Sequence, residues 1–191
     1  LIDDSHWKSI IFQLCYTLSV LQDKYKFMHY DLHPGNVLID NIISNGYIKF
    51  IFNENTFFLE NKGIIPKIFD FEFSNLFDKK YTNIQNPLSF EINYNESYDI
   101  HTFLTGILKL NLPKETIEFI ESLYDNELLY TPDNMDTEFI NNNCLTIDAI
   151  NKYGNTLPIP KDILMHKYFK DFTKNQTDIL FPVFSYTCKN A

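Results

Sequence analysis

Arginine is missing altogether: the sixteen basic residues of this 191-residue chain are all lysine. Without a guanidinium there is no planar, two-pronged donor for carboxylates or phosphates, so any phosphate site must be built from a metal, lysine, histidine or backbone amides. Cysteine is scarce. Cys15, Cys144 and Cys188 are too few and too scattered for a disulfide framework or a zinc cluster, which points to a reducing, cytosol-like compartment. No uninterrupted apolar run approaches the ~20 residues that cross a bilayer. The opening Leu-Ile-Asp-Asp has neither the basic start nor the apolar centre of a signal peptide, so the sequence predicts a soluble, cytoplasmic chain with no membrane partner. Positive charge is in deficit, with 16 basic against 25 acidic residues and a net charge of −9. The long-range attraction that drives nucleic-acid binding is therefore lacking, and nucleic acid is excluded as a partner.

What is present is apolar and aromatic, at 45% and 16% of the residues, which excludes a disordered tail. A chain of this length makes one domain that buries about 70% of the surface its unfolded form exposes. Trp7, Ile10, Ile11, Leu14, Leu18, Leu21 and Tyr25 recur at helical spacing and predict a helix over 5–26 with Ser5 as its cap. The loop 28–36 follows, broken by Pro34 and Gly35, and leads into the β-prone Val37-Leu38-Ile39. Runs at 47–52 and 56–59 read as a hairpin interrupted by polar residues, a surface elaboration, and 64–69 as one more strand. Residues 73–97 have no clear period and read as a long irregular segment. Helices are expected over 98–110, from Pro113 to about Leu123, briefly at 145–152, over 161–172, and once more after Gln176.

The informative feature is His29-x-Asp31-Leu32-x-x-x-Asn36, a carboxylate and a carboxamide five residues apart on a rigid turn between helix and strand. Phosphoryl transfer needs such a pair, a carboxylate to orient the attacking hydroxyl and take its proton and a carboxamide oxygen to help hold Mg²⁺. A second metal ligand is expected at a nearby strand end, where Ile68-Phe69-Asp70-Phe71-Glu72 supplies Asp70. Either motif alone is an ordinary turn; it is their order and context that match a kinase.

In these motifs the chain resembles the C-terminal lobe of the eukaryotic-type protein kinase superfamily. His29 to Asn36 is similar to the His-Arg-Asp catalytic loop, Asp70-Phe71-Glu72 to the Asp-Phe-Gly metal motif, and Tyr98-Asp99-Ile100 to the start of the central buried helix. The resemblance implies an α+β, protein-kinase-like fold, a mainly helical C-lobe with a small β-hairpin element and the N-lobe absent. It implies Asp31 as catalytic base, Asn36 and Asp70 on Mg²⁺, and Leu38 under the adenine of ATP. His29 is expected to be structural, its ring beside Phe71 and Asp99, and Asp99 to accept backbone amides of the catalytic loop. The implied reaction carries the γ-phosphoryl group of ATP to a Ser or Thr hydroxyl of a protein substrate, with the missing N-lobe of a longer parent chain as the other partner.

Several positions depart from the superfamily pattern. Tyr30 replaces the loop Arg that grips a phosphorylated activation loop, so activity should not need that switch. His33 replaces the Lys two residues after the base, leaving a weaker, pH-sensitive donor to a phosphate. Glu72 replaces the Gly, no Ala-Pro-Glu follows in 73–97, and the hairpin at 46–60 lengthens the interval between Asn36 and Asp70. This combination is similar to divergent kinases of large DNA viruses and to haspin-like kinases, which implies the host cytoplasm or the virion. A choline- or aminoglycoside-type small-molecule kinase and a non-catalytic pseudokinase module are the alternative readings.

Overall fold

The computed structural model describes residues 3–78, 94–125, 128–129, 156–172 and the backbone of 183–188. Helix α1 (Asp4–Tyr25) buries Ile10, Ile11, Leu14 and Leu18 along the stripe its apolar spacing defines. Its cap is Asp3 rather than Ser5. The Asp3 carboxylate accepts the His6 amide at 3.0 Å and the Ser5 hydroxyl at 2.6 Å, which holds its pKa well below the usual carboxylate range. A negative charge complements the helix N-terminus better than a hydroxyl does. The helix stops at Lys26, whose left-handed backbone (φ 49°) returns its amide to Gln22.

Strand β1 (Phe27–Met28) precedes the loop, and β2 (Val37–Asn41) follows a 3-10 turn at Pro34–Asn36. Strands β3 (Tyr47–Phe52) and β4 (Asn55–Glu60) pair in register through Ile48↔Leu59 and Phe50↔Phe57 around the two-residue turn Asn53-Glu54. Strand β5 (Ile64–Ile68) does not extend that hairpin. It returns antiparallel to β2, Val37 opposite Ile68 and Asn41 opposite Ile64. A short β6 (Asn75–Leu76) inside the segment expected to be irregular pairs with β1, while 79–93 lie outside the described residues.

Helix α2 (Tyr98–Ile107) ends three residues before the expected boundary. Helix α3 (Lys114–Glu121) has Pro113 as its cap. The expected helix over 161–172 is broken: α4 (Pro160–Leu164) gives way to a 3-10 segment at Lys167–Phe172. The cause is local, because His166 Nδ1 accepts the Tyr168 amide at 3.2 Å, a donor that a continuous α-helix would return to Leu164. The short helix expected at 145–152 lies outside the described residues. After Gln176 the described element is strand β7 (Val183–Cys188), not a helix. It pairs parallel to β3, as the alternating β-prone Val-Phe-Ser-Tyr-Thr-Cys allows. Helices and small sheets thus make an α+β architecture.

The hairpin is core, not surface elaboration. Ile48, Phe50, Phe52, Phe57, Phe58 and Leu59 are all buried. Phe12 of α1 lies edge-to-face on Phe50 at 5.6 Å and on Phe57 at 5.0 Å, and meets Phe169 at 5.4 Å from the far side. Tyr16 adds a hydroxyl donor to the Ile51 carbonyl at 3.1 Å. The polar residues that suggested a surface position sit at the turn and on the outer face. Phe12→Ala should therefore destabilise by about 3–5 kcal/mol. Replacing 47–60 by a short Gly linker should abolish the cooperative urea transition altogether, and a deletion variant with an unchanged midpoint would return the hairpin to the surface.

Candidate active site

The first turn of α2 places Asp99, fully buried, beneath the loop that leaves β1. Its two oxygens are divided between consecutive amides: the His29 N–H donates to Oδ2 at 2.7 Å and the Tyr30 N–H to Oδ1 at 3.0 Å. That grip holds Tyr30 in the left-handed region (φ 65°), which a bulky residue adopts only when its surroundings impose it. The Tyr30 ring packs against Tyr98 and Phe77 at 5.9 and 6.3 Å. Burial pushes the Asp99 carboxyl up to about 7, while the His29 and Tyr30 amides pull it back.

Beyond Tyr30 the loop presents Asp31, half-buried, and the 3-10 turn closes with Asn36. Both amide hydrogens of Asn36 are committed to Asp31, one to its carbonyl at 2.8 Å and one to Oδ2 at 3.0 Å. Asn36 is left with its side-chain Oδ1 to offer, and Asp31 with its own Oδ1. His33 caps the turn, with Nε2 3.8 Å from Asp31 Oδ2.

Phe69 ties the second segment to the first. Its amide donates to the backbone carbonyl of Asn36 at 3.2 Å, and its carbonyl accepts from His29 Nε2 at 2.9 Å. A carbonyl can only accept, so Nε2 carries the proton, and Nδ1, buried, has no partner among the described residues. Burial lowers the His29 pKa, against the opposing pull of the Phe69 hydrogen bond and of Asp31 and Asp70. Its ring lies 5.4 Å from Phe71, and Asp99 accepts the His29 amide. Asp70 directly follows Phe69, exposed and in the left-handed region (φ 61°) that Asp tolerates. Leu38 stands on β2, 54% exposed beside Ile39.

Sequence reasoning missed the role of glycine in the central helix. A Cβ on Gly106 would lie 2.6 Å from Pro34 Cδ, so α2 reaches the loop at two places seven residues apart on one face, Asp99 and Gly106. The available signal was a lone glycine in an apolar helical run, Thr-Phe-Leu-Thr-Gly-Ile-Leu.

Among the described residues no three His, Cys, Asp or Glu side chains converge into a self-sufficient metal site. The donor set of one exposed carboxylate and one carboxamide oxygen instead fits a hard cation such as Mg²⁺, which takes few protein oxygens and completes its shell with phosphates and water.

The family model for poxvirus serine/threonine protein kinases matches residues 5–155. The chain belongs to this family. Two proteins of Acanthamoeba polyphaga mimivirus named for serine/threonine-protein kinases are similar to it. One is 29% identical over 191 residues, covering 85% of this chain and 46% of that protein, and the other is 24% identical over 149 residues, covering 68% and 32%. An uncharacterized protein of Invertebrate iridescent virus 3 is 34% identical over 86 residues, covering 43% of this chain and 16% of its own length. The chain thus spans less than half the length of these relatives. It is a divergent viral kinase-like protein, and kinases of this kind use ATP and a divalent metal. No helix among the described residues is long and apolar enough to cross a membrane.

Replacing Asp99 tests the support of the loop. Asn accepts one amide well but turns an N–H toward the other, so Asp99→Asn should cost about 1–3 kcal/mol. The folded carboxyl titrates at about 7 against 3.8 unfolded, so its stabilising contribution is complete below about 4 and is lost as pH rises through 7. The unfolding free energy of the wild type minus that of the variant should therefore fall between about pH 4 and 8. A difference that grows over this range would show that the His29 and Tyr30 amides outweigh burial and favour the carboxylate.

Proposed function

We propose that the chain is the C-terminal catalytic lobe of an ATP-dependent serine/threonine protein kinase, completed by further residues of a longer parent protein. The observation that carries this reading is the pairing of Asp31 with Asn36. One carboxylate oxygen of Asp31 accepts from the carboxamide, and the other is left to orient an acceptor hydroxyl and take its proton. The same contact leaves the Asn36 side-chain oxygen unengaged by Asp31, and with the Asp70 carboxylate it would hold Mg²⁺. Mg²⁺, bound with ATP, neutralises charge on the phosphates.

The chain's own residues contribute position. Asp99 fixes the loop from below, Phe69 fixes Asp70 relative to Asn36, and exposed Leu38 offers an apolar floor for a flat base. The catalytic loop is assigned to 28–36, the metal motif to 70–72 and the central helix to 98–110, with a protein as the substrate.

The test uses the parent protein. Asp31→Asn should remove most turnover, by about 10²-fold or more, and leave ATP affinity nearly unchanged, because the base meets the acceptor and not the nucleotide. Asp70→Asn should weaken Mg²⁺-dependent nucleotide binding, because a charged ligand is lost. Radiolabel from ATP should appear on a generic protein substrate. Label on choline or an aminoglycoside instead would make the enzyme a small-molecule kinase, and no label from a folded protein would make it a pseudokinase.

A further inference from the structure

His33 folds back over its own turn, and the contact that holds it there is Gly35. The Gly35 N–H donates to His33 Nδ1 at 3.0 Å. A nitrogen that accepts an amide hydrogen carries none, so in the neutral ring the proton must sit on Nε2. Nε2 is the atom that faces Asp31, 3.8 Å from Oδ2, beyond hydrogen-bond length, so its N–H is not spent on the carboxylate. The fold-back has a steric condition as well. A Cβ on residue 35 would stand 2.6 Å from His33 Cε1 and 2.8 Å from Nδ1, inside any tolerated contact. The next ring in the turn, Pro34, is seated against Gly106 of α2 and cannot yield toward the helix.

We infer that Gly35 is a positioning residue that locks His33 as its Nε2–H tautomer, so that an N–H donor stands beside Asp31 to bind an oxygen of the phosphoryl group in transfer. This rests on the reading of Asp31 as the base. Gly35 needs two properties at once for this, a free N–H and no side chain, and glycine is the residue that has both without crowding the ring.

Two measurements test it. Long-range ¹H–¹⁵N spectra of the isotope-labelled chain should show His33 protonated on Nε2 and bare on Nδ1. In Gly35→Ala, where the flexible ring swings away and the fold survives, the two tautomers should mix. In the parent enzyme Gly35→Ala and His33→Ala should each lower kcat by roughly 10- to 100-fold with KM for ATP little changed. The double variant should be no slower than His33→Ala, because without the ring there is nothing for the methyl to displace. His33→Gln, which keeps an N–H at comparable reach, should recover part of the rate, and His33→Asn should not. Losses that multiply in the double variant, or a Gly35→Ala protein with an unmixed tautomer and full kcat, would overturn the inference. The spectra do not depend on turnover, so a failure of the Asp31 assignment, seen as full activity in Asp31→Asn, would remain distinguishable from a failure of the tautomer lock.

Discussion

A single buried carboxylate divides its two oxygens between consecutive backbone amides, and the rest of the site hangs from that division. Asp99 fixes the His29 and Tyr30 peptides. His29 then reaches Phe69 through its ring, Phe69 reaches Asn36 through its amide, and Asn36 closes on Asp31. The bonds form one chain, so a shift at Asp99 would propagate to Asn36 and Asp31. Carrying a carboxyl into the interior is unfavourable, and its raised pKa records this. The offset is conformational, since two amides held at fixed spacing force the backbone turn that an unaided Tyr30 would avoid.

The apolar core supports this arrangement from the other side. Phe12 sits among the rings of the hairpin and of the 3-10 segment near the chain's far end, so residues distant in sequence share one aromatic cluster with α1. The pair β2 and β5 leaves the base of that hairpin. Asn61 pins the crossing by donating to the Ile43 and Asn45 carbonyls and accepting the Gly63 amide. Asp70 is placed by the end of β5 and Asn36 by the start of β2, so the spacing between the two rests on a hairpin whose own residues carry no chemistry.

Where local chemistry dominated, the sequence was sufficient. The Asp31 and Asn36 spacing and the helix beginning at Tyr98 could be read directly, because turn residues and apolar periodicity act over a few positions. The hairpin was misjudged because Asn53, Glu54 and Lys49 drew attention to its polar outer face, while burial of Phe50 and Phe57 depends on Phe12, about forty positions earlier. The same holds for strand β7, where the sequence predicts a helix. Its partner β3 lies far back in the chain, and a short β-prone run does not announce which edge it will join. Gly35 and Gly106 were legible as glycines but not as contacts, since what a missing Cβ makes room for is visible only when the neighbouring ring is in place.

The absence of arginine acquires a structural meaning at Tyr30. In the pattern this loop resembles, the residue before the base is a cation awaiting a phosphate elsewhere in the protein. Here it is an aromatic ring packed between Tyr98 and Phe77, with its amide already claimed by Asp99. Attraction to a distant phosphate is screened and conditional, whereas ring packing and a buried amide–carboxylate contact persist whatever is attached to other segments. A loop held from below by Asp99 and from the side by two rings has its geometry before any modification occurs. A ring packed in place holds the loop permanently, where a cation would hold it only in the presence of its phosphate.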